Sequence, residues 1–252
     1  MIVQAFLQYV FWKYAPLDPT SITIYFCLTT LAITSSDFIA GHAHFLLDNF
    51  RFMDSFAAKE LGDPFVSQYG VHHRWQDDIS KYTFFETNAD GLYATSRLMV
   101  YVLVPSILVP WRLLTSPLEV GAGVGVSLLV VLLGYNFPSY VMSILVPAII
   151  VDEYLFPCPL EFTMICFMWW LSIYCLFTGF TNQFHKWSHD KNPSFLVRTL
   201  QALWIVVPPE EHQRHHIDPT KSYCLTTGWC NLLLDKIGYW TILQEWIEGP
   251  KV

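Results

Sequence analysis

Hydrophobic positions gather in four stretches, each to be measured against the ~20 residues that a membrane-crossing helix requires. The first, residues 21–47, begins apolar and turns polar toward its C-terminal end. The second, 98–114, is interrupted by Pro105 and Pro110, and the third, 120–151, by Gly134, Asn136 and Pro138. The fourth, 160–180, contains FTMICFMWWLSIYCLFTGF, a run without a single charge. Residues 1–14 read as a short amphipathic or interfacial helix. Two polar stretches, 48–97 and 181–252, hold most of the charge. The pattern predicts an all-α membrane protein: a bundle of about four transmembrane or re-entrant helices with a helical cap in the polar segments.

Composition agrees with the pattern. Of 252 residues, 53% are apolar, 17% aromatic and only 14% charged, against about 25% charged in an ordinary soluble domain. Mean hydropathy is +0.36. Disorder is excluded, and a water-soluble globule is disfavoured. With 14 Lys and Arg against 21 Asp and Glu the net charge is −7, and no basic stripe suited to nucleic acid is found. The six cysteines form no CxxC, and Cys27, Cys166 and Cys175 lie in apolar runs. Neither a disulfide framework nor a thiolate zinc site is expected. The N-terminus has no basic region leading to a small-residue cleavage site, so no secretory signal is expected. An intracellular membrane protein inserted through its own helices fits best. The GAGVG run at Gly121–Gly125 lacks the strand and GK[ST] of a phosphate loop and reads as a helix-packing face.

Histidine carries the chemistry. All nine histidines fall in four groups, His42/His44, His72/His73, His185/His189 and His212/His215/His216, and none lies in the 111 residues from Arg74 to Phe184. At about 100° per residue, His185 and His189 share a helix face, with Asn182 one turn earlier. His212, His215 and His216 share another. Asp37, Gly41, His44 and Asp48 form one stripe, from which His42 points nearly opposite. Imidazole suits Zn, Cu, Fe and Ni, and the absence of clustered Cys excludes thiolate and iron–sulfur centres. A single catalytic zinc takes three protein ligands, fewer than are clustered here, so two metal ions sharing one site are expected. The Glu and ExxH repeats of soluble di-iron carboxylate bundles are missing from the sequence. A histidine-rich di-iron centre at a membrane face, activating O2 against unactivated C–H bonds of lipid chains, matches better.

The segments DFIAGHAHFLLDN (37–49), HHRW (72–75) with FFETNAD (84–90), FTNQFHKWSH (180–189) and HHIDPTKSYCLTTGWCN (215–231) resemble the Kua-type lipid desaturases. The similarity covers 37–97 and 178–249. TNQFHKWSH and YCLTTGWCN are worded closer to the plasmanylethanolamine branch of that family than to its plastid branch, which acts on palmitoyl-phosphatidylglycerol. The resemblance implies a single lipid desaturase domain over 1–252, with 115–155 as an insertion. It implies two iron ions (Fe2+/Fe3+) held by His44, His72, His73, His185, His189, His212, His215 and His216, with O2 as co-substrate. Electrons would come from a cytochrome b5-type donor, and a 1-O-alkyl ethanolamine phospholipid would become its vinyl ether, the plasmalogen, at the endoplasmic reticulum membrane. Asp48, Asn182, Asn88 and Asp90 are candidates for the metal or for orienting its imidazoles. Arg74, Lys186 and Arg214, each beside a cluster histidine, are candidates for the substrate phosphate.

Three other readings stay open. An acyl-lipid desaturase of the plastid phosphatidylglycerol type would share the motifs, and a lipid hydroxylase would begin with the same C–H abstraction. A metal-handling membrane protein predicts histidines at mid-span, whereas these lie at span ends and in polar segments. Convergence of all four groups on one side requires an even number of crossings between His73 and His185. The stretch 120–151 is therefore expected to bend at Gly134–Pro138 and return. Arg51, Arg74, Lys186, Arg198 and Arg214 place that side in the cytosol by the positive-inside rule.

Overall fold

A computed structural model describes residues 8–9, 11–49, 76–108 and 162–248. Among these residues the regular structure is helical, with no strand. Helix α1, Pro19–Asn49, begins where the Asp18 carboxylate accepts the backbone N–H groups of Thr20 and Ser21 at 3.0 and 3.1 Å. Pro19 fills the first helical position, where no N–H is needed. At 1.5 Å per residue its 31 residues extend roughly 46 Å, well beyond the ~30 Å hydrocarbon thickness. That surplus is why the helix can be apolar first and carry Asp37, His44 and Asp48 toward its end.

Helix α2 is Phe84–Leu108, preceded by a 3-10 turn at Gln76–Lys81. It starts well before the apolar stretch at 98 that the sequence pattern marks. The reason is a reciprocal cap: the Thr83 N–H donates to Glu86 Oε2 at 2.7 Å, and the Glu86 N–H donates to Thr83 Oγ1 at 3.4 Å. The helix also runs through Pro105, where the sequence suggests an interruption. Helices α3, Phe162–Gly179, and α4, Thr181–Ser188, meet at Phe180 with a 44° bend. Helix α5 is Phe195–Ala202, capped by Ser194 Oγ, which accepts the Val197 N–H at 3.3 Å. Helix α6 is Pro209–Ile217, α7 is Asn231–Lys236 and α8 is Tyr239–Glu248.

Among the described residues α1 alone is long and apolar enough to cross a bilayer, with mean hydropathy 1.5, and α3 with α4 pass that test only as a bent pair. The stretch 120–151 with its expected bend, the expected insertion 115–155, and His72, His73 and Arg74 lie outside the described residues.

The chain packs as two units. In the first, Met1–Thr29 with Tyr93–Cys175, Phe11, Tyr25 and Ile165 form the core. Trp169 packs its ring, tilted, with its centroid 4.2 Å from that of Phe11 and donates its Nε1–H to Thr29 Oγ1 at 2.8 Å. The second is Thr30–Leu92 with Leu176–Val252. Its core joins Phe45 of α1 to Tyr223, Cys224, Leu234 and Trp240. Gly41 permits this approach: a Cβ there would sit 2.6 Å from Cys224 Sγ. Gly91 of α2 likewise lies against backbone: a Cβ there would sit 2.6 Å from the Gly179 carbonyl oxygen.

Candidate metal centre

Helix α6 opens with Pro208–Pro209, carries Glu210 and Glu211 in its first turn, and closes with Arg214, His215 and His216. Proline pre-sets the first helical φ, and this order of charges follows the helix dipole. The buried face of α6 lies against α4, which brings His212 and His216 to His185 and His189. Four Nε2 atoms converge: His185–His212 2.9 Å, His189–His212 2.9 Å, His212–His216 2.9 Å, His185–His189 3.2 Å and His189–His216 3.3 Å. His185 and His212 are buried, and His189 and His216 are half-buried.

Proton accounting tests this arrangement. Each Nε2 of a neutral imidazole carries either one proton or one lone pair, so four of them support at most two N–H···N bonds. Five close contacts join these four atoms, and every placement of the protons sets like against like in at least one of them. Burial, and then the neighbouring His185 and His189, push the His212 pKa well below the usual histidine value, so extra protons do not resolve the conflict. A cation at the convergence point does. Nitrogen–metal bonds of roughly 2 Å put neighbouring ligand atoms roughly 3 Å apart, which the observed separations match.

The second group joins α1 to α6. His44 Nε2 lies 3.0 Å and His215 Nε2 3.2 Å from Asp48 Oδ2. Both rings are held from behind by main chain: His44 Nδ1 donates to the Tyr223 carbonyl at 3.0 Å, and His215 Nδ1 to the Lys221 carbonyl at 2.7 Å. A carbonyl only accepts, so Nδ1 carries a proton in both rings, and in a neutral ring the Nε2 lone pair then faces the carboxylate. Burial, and then the His44 ring, lower the His215 pKa to about 4. At neutral pH a lone pair thus opposes a carboxylate oxygen, an arrangement that again fits a shared cation. The two groups are adjacent, with ring centroids 6.0 Å apart for His44–His185 and His212–His215.

The structure places the other candidates as follows. His42 turns away, donating Nδ1–H to the Phe38 carbonyl at 2.8 Å and accepting from the Tyr239 hydroxyl at 2.7 Å. Asp37, on the same stripe as His44, accepts four backbone N–H groups: those of Thr226, Thr227 and Gly228 on Oδ1, and that of Cys230 on Oδ2, at 2.8–3.0 Å. It fixes the loop that carries Tyr223 rather than a metal. Asn88, fully buried, donates to the Phe84 carbonyl and to Gln183 Oε1 at 2.7 and 2.8 Å. Asn182 is buried on α4 one turn before His185. Asp90 is half-buried on α2 and belongs to neither group. Lys186 donates to the Tyr82 carbonyl, and Arg214 pairs with Glu211 at 2.9 Å. Sequence reasoning missed the carbonyls of Tyr223 and Lys221, since no side-chain pattern marks a backbone acceptor.

The described residues are helical, and they bring together two adjacent imidazole-rich groups, one containing a carboxylate, that could hold metal ions. Residues 33–250 match the model of the lipid desaturase domain family, and the chain belongs to that family. It is 28% identical over 216 residues to plasmanylethanolamine desaturase 1 of Mus musculus, covering 85% of this chain and 61% of that protein. It is 24% identical over 223 residues to plasmanylethanolamine desaturase of Myxococcus xanthus, covering 87% and 60%. A probable fatty acid desaturase of Acanthamoeba polyphaga mimivirus is 33% identical over 67 residues, covering 25% of this chain and 34% of that protein. The chain thus spans about three-fifths of the length of the first two relatives. No solved structure matches.

Proposed function

We propose that the chain is a di-iron membrane lipid desaturase that converts 1-O-alkyl ethanolamine phospholipid to the vinyl-ether plasmalogen. The observation that carries this reading is the adjacency of the two groups, His185/His189/His212/His216 and His44/Asp48/His215. His72 and His73 would complete the ligand set. The names of the two relatives that align over most of the chain support the substrate.

Bound iron would supply the reduction of O2 and the removal of two hydrogens from adjacent carbons beside the ether oxygen. The balance is complete when two electrons leave with those hydrogens and two come from a cytochrome b5-type donor. With two further protons from solution, O2 leaves as two waters.

The chain's own residues do the rest. The Tyr223 and Lys221 carbonyls hold the proton on Nδ1 of His44 and His215 and keep each Nε2 available. Asp48 supplies negative charge beside them. Burial keeps His212 and His215 neutral and would keep bulk water from a bound metal. Asp37 anchors the loop that presents the Tyr223 carbonyl. In the same reading 1–252 is a single desaturase domain of the endoplasmic reticulum membrane, a bundle of about four spanning or re-entrant helices. Residues 115–155 are its insertion, and α4–α8 belong to a cytosolic cap.

The test is expression of the full chain in cells that lack plasmalogens but contain alkyl ether lipids. Acid-labile aldehyde release should appear, with product mass lowered by two hydrogens. Metal analysis of the purified chain should find two irons. A gain of oxygen instead would make it a hydroxylase, and one zinc with negligible iron would overturn the centre.

A further inference from the structure

A cavity of about 470 Å3 opens on the flank of the histidine groups. Its lining includes three cations, Lys191, Arg198 and Arg214, together with Glu210, Glu211 and Trp204. Glu211 is engaged by Arg214 and by Asn231 Nδ2 at 3.1 Å. Arg198 and Glu210 form no ion pair among the described residues. Trp204 has φ of 55°, a left-handed conformation that a bulky side chain rarely adopts. It is held there by the Trp229 indole N–H, which donates to its carbonyl at 2.8 Å. Such strain persists only where surrounding structure enforces it.

Two further features narrow the ligand. Phe195, Leu196, Leu203 and Ile205, on α5 and the turn after it, are exposed beside the cavity-lining residues. A polar hollow next to an exposed apolar surface suits an amphiphile rather than a soluble ion. The walls are also interleaved with the metal groups: Asp190 and Lys191 follow His189, and Glu211 and Arg214 alternate with His212 and His215.

We propose that this cavity binds the zwitterionic headgroup of the lipid substrate, the phosphate against Arg198 with Lys191 and Arg214, and the ammonium against Glu210 and the Trp204 face. Guanidinium forks match phosphate oxygens, and an indole face attracts an ammonium. The assignment rests on the desaturase reading and explains its regiochemistry. From phosphorus to the first alkyl carbon past the ether oxygen is six bonds, roughly 7 Å extended. A headgroup held beside His189 and α6 therefore keeps that carbon, rather than one far down the chain, near the metal.

The test is lipid binding by the purified full chain, read by native mass spectrometry in detergent. The probes are a 1-O-alkyl phosphoethanolamine lipid, the matching phosphatidic acid and the alkyl glycerol without phosphate. Wild type should hold the phosphoethanolamine lipid at least about ten-fold more tightly than the alkyl glycerol. Arg198→Glu should bring that ratio near one with metal content unchanged. Glu210→Gln should erase the preference for phosphoethanolamine over phosphatidic acid. A ratio near one in wild type, or a preserved ratio in Arg198→Glu, overturns the site. Displacement by inorganic phosphate as effectively as by O-phosphoethanolamine marks a simple phosphate site and overturns the zwitterion assignment. Arg198→Glu that keeps its lipid preference but accepts electrons more slowly from an acidic donor protein marks a protein-docking face, and also overturns it. Vinyl-ether formation measured alongside separates the two claims. Lipid preference without product leaves the headgroup site standing and removes the desaturase reading. Wild-type turnover and KM in Arg198→Glu do the reverse.

Discussion

Asp37→Ala should detach half of the metal centre without touching a ligand. The carboxylate is fully buried and accepts four backbone N–H groups from residues 226–230. Hydrogen bonds to a charged acceptor contribute about 1.5–3 kcal/mol each, which sets a ceiling of roughly 6–12 kcal/mol. The desolvation of a buried carboxylate removes several kcal/mol of that, leaving a net loss of about 3–5 kcal/mol. At roughly 2–4 °C per kcal/mol for a chain of this size, the melting temperature should fall by about 10 °C. Asp37→Asn keeps one acceptor oxygen and should lose about half as much. The freed loop no longer holds the Tyr223 carbonyl against His44 Nδ1, so the His44/Asp48/His215 group should lose its ion. The His185/His189/His212/His216 group, built on α4 and α6, should keep its own. Thermal unfolding in detergent and metal analysis of the purified variant measure both effects. An Asp37→Ala protein that melts within about 2 °C of wild type and holds full metal would refute the reasoning.

His44→Ala is expected to abolish desaturation, whereas His42→Ala, whose ring is bound to Phe38 and Tyr239, should retain most of it at similar expression; equal losses would place His42 at the metal. In metal-free protein, His215 with its pKa near 4 takes up a proton in the unfolded chain near pH 6.5 but not in the folded one. Its contribution to stability is therefore present above about pH 6.5 and is lost as pH falls toward 4, about 3 kcal/mol in all; chelator-treated protein melting at one temperature from pH 7 to 4.5 would contradict this. Gly91→Ala, whose Cβ would meet the Gly179 carbonyl oxygen at 2.6 Å, should cost about 1–3 kcal/mol, visible as a lower melting temperature with metal stoichiometry intact.

How far the sequence discloses the site depends on the kind of contact. Helical spacing is enough to align His185 with His189 and His44 with Asp48, because one turn returns a side chain to its face. It also puts His212, His215 and His216 on one face, but the structure divides them between the groups. His215 and His216 are about 100° apart, so one points to α1 and the other to α4. Asp37 shares the stripe of His44, yet seven residues are roughly 10 Å along the axis, enough to take it to the loop at 226–230. The early start of α2 is written in Thr83 and Glu86, a local cap that hydropathy does not register. The main-chain carbonyls behind His44 and His215 belong to a fold, and no residue type announces them.

The bond from His44 to the Tyr223 carbonyl and the grip of Asp37 on the loop bring together residues some 180–190 positions apart. Contacts of such sequence separation form late in folding, after the intervening chain has been closed into a loop. During synthesis His44 leaves the ribosome long before its carbonyl partner exists. Any metal loading at this group would therefore await the last quarter of the chain. Nascent chains arrested at residue 215 should reach the membrane yet bind no iron at His44 and Asp48, and extension past residue 231 should restore binding. Iron uptake by the shorter arrested chain would show that α1 prepares its ligands without the loop.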